Sequence, residues 1–373
     1  MSVYWNDKTR RLVPYIPGEQ PRDRKFIKLN TNENPYPPSP LVVEAIRGVA
    51  GETLRLYPDP VCLELRETIA ERYGFNANQV FASNGSDEIL AFAFAAFFGA
   101  KKPSGETRAD EEPLLFPDIT YSFYPVYSGL WDVPYRAVPL NADFTMDTRD
   151  YLGKSGGIIF PNPNAPTGIA VSLADLRKIA EAAERDKRVV VVDEAYIAFA
   201  DGEGMGSAIP MIREFPNLLV IRTLSKESSL AGLRSGYALG SEELIEGLCR
   251  IRDSFNSYTL DRLALAGSIA AIKDARYYDG INRRVIATRH RVAAGLAALG
   301  FRVLPSQANF LFAAPPPERG KSGQEFYAAL RERGVLVRHF NKPRIADFLR
   351  ISVGTDEDMD AFLNSCGDIG LVR

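Results

Sequence analysis

Histidine and cysteine are scarce in this chain, at two and three of 373 residues. His290 and His339 stand far apart, and Cys62, Cys249 and Cys366 form no CxxC pair. Neither a clustered zinc site nor a disulfide framework has the ligands it needs, so no metal is expected and a reducing compartment fits best. An excess of one charge is lacking too: 45 Lys and Arg stand against 47 Asp and Glu. That balance leaves no basic field for nucleic acid or an anionic membrane. The longest apolar run, Ile89 to Ala100, falls short of the roughly 18 residues that span a bilayer and reads as a buried helix. The opening residues, MSVYWNDKTRRLVPY, mix charge with proline and offer no apolar signal core. Neither GxGxxG after a strand nor GxxxxGK followed by Ser or Thr occurs, which argues against nicotinamide-dependent and P-loop enzymes. The absences leave a cytoplasmic protein that acts on small molecules.

What is present suits a globular fold: 46% of residues are hydrophobic and 25% charged. The chain exceeds the roughly 250 to 300 residues at which a single core stops growing, so two domains are expected. Prolines and asparagines crowd the first forty residues, which read as an extended arm. From about Leu41, strand-like runs alternate with helical patterns. Helices are expected near Ser39–Gly48, Leu63–Tyr73, Ile89–Phe98, Leu173–Arg185 and Glu242–Arg252, and strands at Gly157–Phe160, Val189–Asp193 and Leu218–Thr223. Such alternation predicts an α/β fold with a mainly parallel sheet flanked by helices. Ser172 with Asp175 three residues on is a capping pattern for one helix start. After Ser254 the character changes to a long helical region through Leu299 and then short strands near Val335 and Leu349, as in a smaller α+β domain. The expected division is therefore 41–254 for the large domain, and 1–40 with 255–373 for the arm and small domain. Lys101 to Pro113 is charged and aperiodic and reads as a solvated loop.

Ligands of open α/β sheets gather at the carboxyl ends of strands, which singles out Asp193, Thr223, Ser225 and Lys226 by position. Taken singly, an Asp after a buried strand is more often a helix cap or ion-pair partner, and a loop lysine a solvated charge. Together they mean more. Lys226 lies in Thr-Leu-Ser-Lys, with Arg234 eight residues on, and hydroxyls with a guanidinium suit a phosphate dianion. Gly85-Ser86-Asp87, opening an apolar helix, offers backbone N–H groups to the same kind of anion.

Asn-Pro-Asn-Ala-Pro-Thr-Gly (162–168), Asp-Glu-Ala-Tyr (193–196) and the segment from Thr-Leu-Ser-Lys to Leu-Arg-Ser-Gly-Tyr resemble, in order and spacing, the signatures of fold-type I pyridoxal-phosphate-dependent aminotransferases. Pro14–Gly18, Leu29–Pro35, Tyr57-Pro58-Asp59 and Leu349–Thr355 are similar to the histidinol-phosphate aminotransferase branch. The resemblance spans essentially the whole chain. It implies that Lys226 carries pyridoxal 5'-phosphate as a Schiff base and shuttles the proton, that Asp193 pairs with the pyridinium nitrogen, and that Tyr196 bonds the 3'-oxygen. It also implies that Tyr121 stacks on the ring, that Gly85, Ser86, Asp87, Thr223, Ser225 and Arg234 cradle the phosphate, and that Tyr57 reaches it from the other subunit of a homodimer. Arg350 resembles the arginine that binds the carboxylate of glutamate or 2-oxoglutarate and, in the other half of a ping-pong cycle, the phosphate of L-histidinol phosphate. Arg338, Tyr15 and Asn32 are expected beside it.

Two places depart from the family. Ala165 stands where many relatives have asparagine before Pro-Thr-Gly, with Asn164 one place earlier as the candidate replacement, and Glu-Ser-Ser follows Lys226 where a less polar segment is usual. Three other activities compete with the histidine-biosynthetic one. These are transamination of phenylalanine or tyrosine, decarboxylation of a phospho-amino acid on the same scaffold, and a non-catalytic cofactor-binding module. The last is weak, since Lys226 and Asp193 are both present.

Overall fold

The structure is a computed structural model describing residues 3–21, 24–99 and 112–369. At its centre is a seven-stranded sheet. Its order from edge to edge is Val80–Ser83, Gly236–Leu239, Leu218–Thr223, Val190–Asp193, Gly157–Pro161, Leu114–Pro117 and Tyr135–Val138. Six strands run one way and Gly236–Leu239 runs against them. The middle strands are continuous apolar runs because helices cover both faces of a parallel sheet; every position of Gly157–Pro161, Val190–Asp193 and Leu218–Thr223 is buried. Among the covering helices are Gly85–Phe97, Leu173–Arg185 and Glu242–Phe255. Ser172 caps the second by accepting from the Asp175 N–H, and Ser241 caps the third by accepting from the Leu244 N–H.

Strands Gly236–Leu239, Val80–Ser83, Leu114–Pro117 and Tyr135–Val138 were not foreseen. Four residues are too few to show a period. The helix expected over Ile89–Phe98 begins earlier, at Gly85, and the helical region after Ser254 is two helices, Arg262–Lys273 and Ala275–Ala298, parted at Asp274. Of the loop expected over 101–113, only residues 112 and 113 are among those described. No helix among the described residues is long and apolar enough to cross a membrane.

A second, four-stranded antiparallel sheet is built on Phe310–Ala314 and Leu349–Ser352, with Phe312 opposite Arg350, and is edged by Arg338–His339 and Arg302–Val303. The arm joins here: Ile27–Lys28 pairs in parallel with Val335–Leu336, and Leu29 enters the core formed by Leu311, Phe326, Val337 and Ile351. The 254 boundary expected from the sequence falls inside helix Glu242–Phe255. The core under the large sheet also draws on residues beyond it, since Ala264, Ala271 and Ile272 pack in one cluster with Ile158, Val190 and Val220.

Helix Ala275–Ala298 is pinned to the segment that follows Asp193 by a buried cation. Arg289 Nη1 donates to the carbonyls of Phe199 (2.7 Å) and Ala308 (3.0 Å), and Nη2 to Asp201 Oδ1 (2.6 Å). Removing it leaves two buried carbonyls and one carboxylate oxygen without that donor. Arg289→Met is expected to cost about 3 kcal/mol of stability, read as a lower urea midpoint at unchanged slope; a midpoint within error of the parent would show that the cation anchors nothing.

Candidate active site

The carboxyl ends of three neighbouring strands meet in register, with Pro161 opposite Asp193 and Asp193 opposite Ile221. Beyond them Thr223 ends its strand and caps the short helix Leu224–Glu227, its Oγ1 accepting from the Ser225 N–H at 3.2 Å. A cavity, partly open to solvent, lies over these ends and is lined by Ser86, Asp87, Tyr121, Ala165, Asp193, Tyr196, Thr223, Ser225, Lys226 and Arg234. A second recess shares Asp87, Tyr121, Ala165 and Tyr196 with it and adds Tyr15, Asn32, Arg338 and Arg350.

Asp193 is 4% exposed. It accepts from the Ala195 N–H at 3.2 Å and from the Tyr124 hydroxyl at 3.5 Å, and no cation pairs with it among the described residues. Burial, and then the negative field of Asp87, push its carboxyl up to about 7. Lys226 moves the other way: enclosure of its amine, then repulsion by the Arg350 guanidinium, bring it down to about 8. Its Nζ donates to the Thr31 carbonyl at 3.0 Å, so the arm holds the amine in place.

Tyr196 is held by Asn32, whose Nδ2 donates to the Tyr196 hydroxyl at 3.1 Å. Asn32 sits at a left-handed φ of 55° and is itself fixed: Ser352 Oγ donates to its Oδ1 at 2.9 Å, and Asn309 Nδ2 to its carbonyl at 3.0 Å. Tyr121 donates to Asp87 Oδ1 at 2.7 Å, and Arg234 Nη2 reaches Asp87 Oδ2 at 3.2 Å. Gly85 sits beside them at φ +78°, a left-handed conformation that a side chain would strain. Arg350 Nη2 donates to the Asn30 carbonyl at 2.8 Å, while its buried Nε has no partner among the described residues. Its guanidinium also lies over the rings of Phe310 and Phe340. Arg338 lies over Phe340 as well and is weakly bonded to the Pro17 carbonyl at 3.4 Å. Tyr15 stacks on Phe123 with centroids 4.2 Å apart.

Two expected residues are not brought to the cavity. Asn164 is turned into its own loop: its Nδ2 donates to the Ile119 carbonyl and to Thr167 Oγ1, both at 3.0 Å, and its Oδ1 accepts from Thr120. Ala165 lines the cavity instead. Tyr57 is 77% exposed and stacks on Tyr258, outside the cavity of its own chain. Sequence reasoning missed Tyr124, the hydroxyl beside Asp193, and the Thr31 carbonyl that receives Lys226. The first was one tyrosine among 16, and a backbone acceptor leaves no mark in a sequence.

The description "Aminotransferase class I and II" matches residues 24–365. The chain belongs to this aminotransferase family. It is 52% identical to histidinol-phosphate aminotransferase 2 of Thiobacillus denitrificans over 98% of this chain and 97% of that one. To the histidinol-phosphate aminotransferase of Aromatoleum aromaticum it is 51% identical, over 99% of both chains. The fold of the aminotransferase is also that of the Sinorhizobium meliloti histidinol-phosphate aminotransferase solved in complex with pyridoxal-5'-phosphate, with a TM-score of 0.85, 22% identity and 99% and 98% of the two chains covered.

Only the neutral amine attacks a carbonyl. Capture of a small aldehyde by Lys226 in the cofactor-free aminotransferase therefore rises with pH and levels off above about 8, where surface lysines, near 10.4, are still protonated. Reductive trapping at about pH 7, 8 and 9, followed by peptide mapping, should find Lys226 labelled first and surface lysines later. Uniform labelling would contradict the depressed value.

Proposed function

We propose that this aminotransferase exchanges the amino group between L-histidinol phosphate and 2-oxoglutarate, as in histidine biosynthesis, with pyridoxal 5'-phosphate held in the cavity over the strand ends. The observation that carries the reading is the pairing of two misfit groups in one cavity: a buried carboxylate with no cation among the described residues and a partly buried amine that gives up its proton near pH 8. A protonated pyridine nitrogen is the cation Asp193 lacks, and an aldehyde is the partner a neutral lysine takes. The hydroxyls of Ser86, Thr223 and Ser225 with the Arg234 guanidinium offer a phosphate the donors it needs.

When bound, the cofactor supplies an aldehyde carbon that exchanges amines and a ring that accepts an electron pair. This chain's residues do the rest. Lys226 Nζ takes the proton from the substrate's Cα and later returns one, acting as base and then acid. Asp193, ionised beside a cation, keeps that cation protonated. Tyr196, oriented by Asn32, presents its hydroxyl to the cavity. Arg350 meets the substrate anion; its fork fits either a carboxylate or a phosphate, so one recess can serve both half-reactions.

The exposed Leu54, Leu56, Tyr57, Phe255 and Tyr258 support a homodimer in which Tyr57 serves the neighbouring site. A second reading, transamination of phenylalanine or tyrosine, has one observation in its favour. An apolar cavity lined by Val13, Ile16, Val126, Phe340 and Ile345 adjoins the Arg338 recess through Tyr15 and Thr120.

Lys226→Ala should abolish the visible absorbance of the cofactor-loaded protein, and an unchanged spectrum would remove the lysine from the site. Arg350→Ala should raise KM for both glutamate and histidinol phosphate by roughly 10- to 100-fold, the loss of charged hydrogen bonds; an effect on one alone would require a second anion site. Single-turnover spectra with histidinol phosphate, phenylalanine and tyrosine decide between the two substrate readings. Faster conversion of either aromatic amino acid than of histidinol phosphate would favour the second.

A further inference from the structure

The polar segment after Lys226 finds its counterpart on the reverse side of the active-site strands. Side chains alternate faces along a strand. Asp193 and Thr223 line the cavity, so their neighbours Glu194 and Arg222 point to the opposite face. There the Arg222 guanidinium lies between two carboxylates. Its Nη1 donates to Glu194 Oε2 at 3.2 Å and its Nη2 to Glu227 Oε2. The side chains of Arg222, Glu194 and Glu227 are 8%, 0% and 13% exposed.

Glu194 is fixed in turn by the Ser207 hydroxyl at 2.6 Å and the Ala208 N–H at 2.5 Å. Each carboxylate is the chain neighbour of a cavity residue, Glu194 of Asp193 and Glu227 of Lys226. The Arg222 fork thus ties together, from behind, the two backbone segments that present the carboxylate and the amine. A buried ion pair adds little net stability over apolar packing, so its value here is geometric. Hydrophobic residues would fill the same space without fixing how far one segment stands from the other.

We propose that Glu227 and Arg222 are positioning residues: the Glu194–Arg222–Glu227 triad sets the placement of Lys226 relative to Asp193. This rests on the reading of Lys226 and Asp193 as the cofactor-holding pair. Glu227 lines neither the cavity nor the adjoining recess, so its effect reaches the reaction through the backbone of its neighbour. Loss of the clamp therefore changes turnover and the environment of the amine and leaves substrate affinity alone.

The test uses the full-length protein loaded with pyridoxal phosphate. Glu227→Ala is expected to lower kcat about tenfold, the scale of a sub-ångström misplacement. KM for glutamate should stay within about twofold, and the pH midpoint of the visible absorbance should shift by about half a unit or more. Glu227→Gln, whose amide oxygen still accepts from Arg222, should recover most of the kcat. Should Glu227→Ala fail to fold, Arg222→Lys gives the same reading, because a compact ammonium cannot bridge both carboxylates and the same fall in kcat and shift in midpoint are expected. Parental kcat and midpoint in either folded variant, or a change confined to KM, overturns the proposal. Absence of the visible band in the unmutated loaded protein would instead overturn the functional reading on which it rests.

Discussion

A carboxylate buried without a cation is expensive, and the active site of this chain is organised around one. Asp193 ends a strand whose other residues are valines, in the middle of a sheet covered on both faces. Its nearest polar contacts are a backbone N–H and a neutral phenol, which offset only part of the desolvation of a charge. Left alone, such a group protonates. The arrangement pays its way only when a cation arrives from outside the chain. The surrounding residues fit that need: the cavity above Asp193 is rimmed with hydroxyls and a guanidinium that suit a phosphate, and the lysine beside it holds its proton loosely.

The topology explains why these residues meet. Parallel strands deliver their carboxyl ends to one edge; the pairing of Pro161 with Asp193 brings two such ends level, and Asp193 pairs with Ile221, two residues before Thr223 ends the third strand. The second sheet contributes at a distance in sequence. Arg350 comes from the strand paired with Phe310–Ala314, and Asn32 is locked by Ser352 and Asn309 from the same region. The arm is thereby a structural part of the site, since Asn32 orients Tyr196 and Thr31 receives Lys226.

The parts of this arrangement that follow from chemistry local in sequence were legible in advance. Continuous valine and leucine runs predicted the central strands, Ser172 predicted a helix start, and Thr223, Ser225, Lys226 and Arg234, singled out together, line one cavity. Four-residue strands such as Tyr135–Val138 were not legible, because pairing with neighbours rather than pattern makes them strands. The fate of Asn164 could not be read either. Whether an amide faces a cavity or bonds its own loop depends on Ile119 and Thr120, more than forty residues away. The resemblance to relatives supplied roles, and it was silent about how Glu227 is accommodated where a less polar residue is usual.

Charge coupling gives the site its final property. Arg350 is the second largest reason that Lys226 loses its proton easily, after enclosure. An anion resting on Arg350 cancels that contribution. The free amine then holds a proton more firmly and is the stronger base, and it gains this strength only while the recess is filled. Arg350 in turn has a buried Nε without a partner among the described residues and aromatic rings on its flanks, so the cost of burying it is relieved by the same anion. Substrate binding and the proton affinity of the amine are therefore linked through one guanidinium, and by reciprocity a protonated Lys226 strengthens the hold of the recess on that anion.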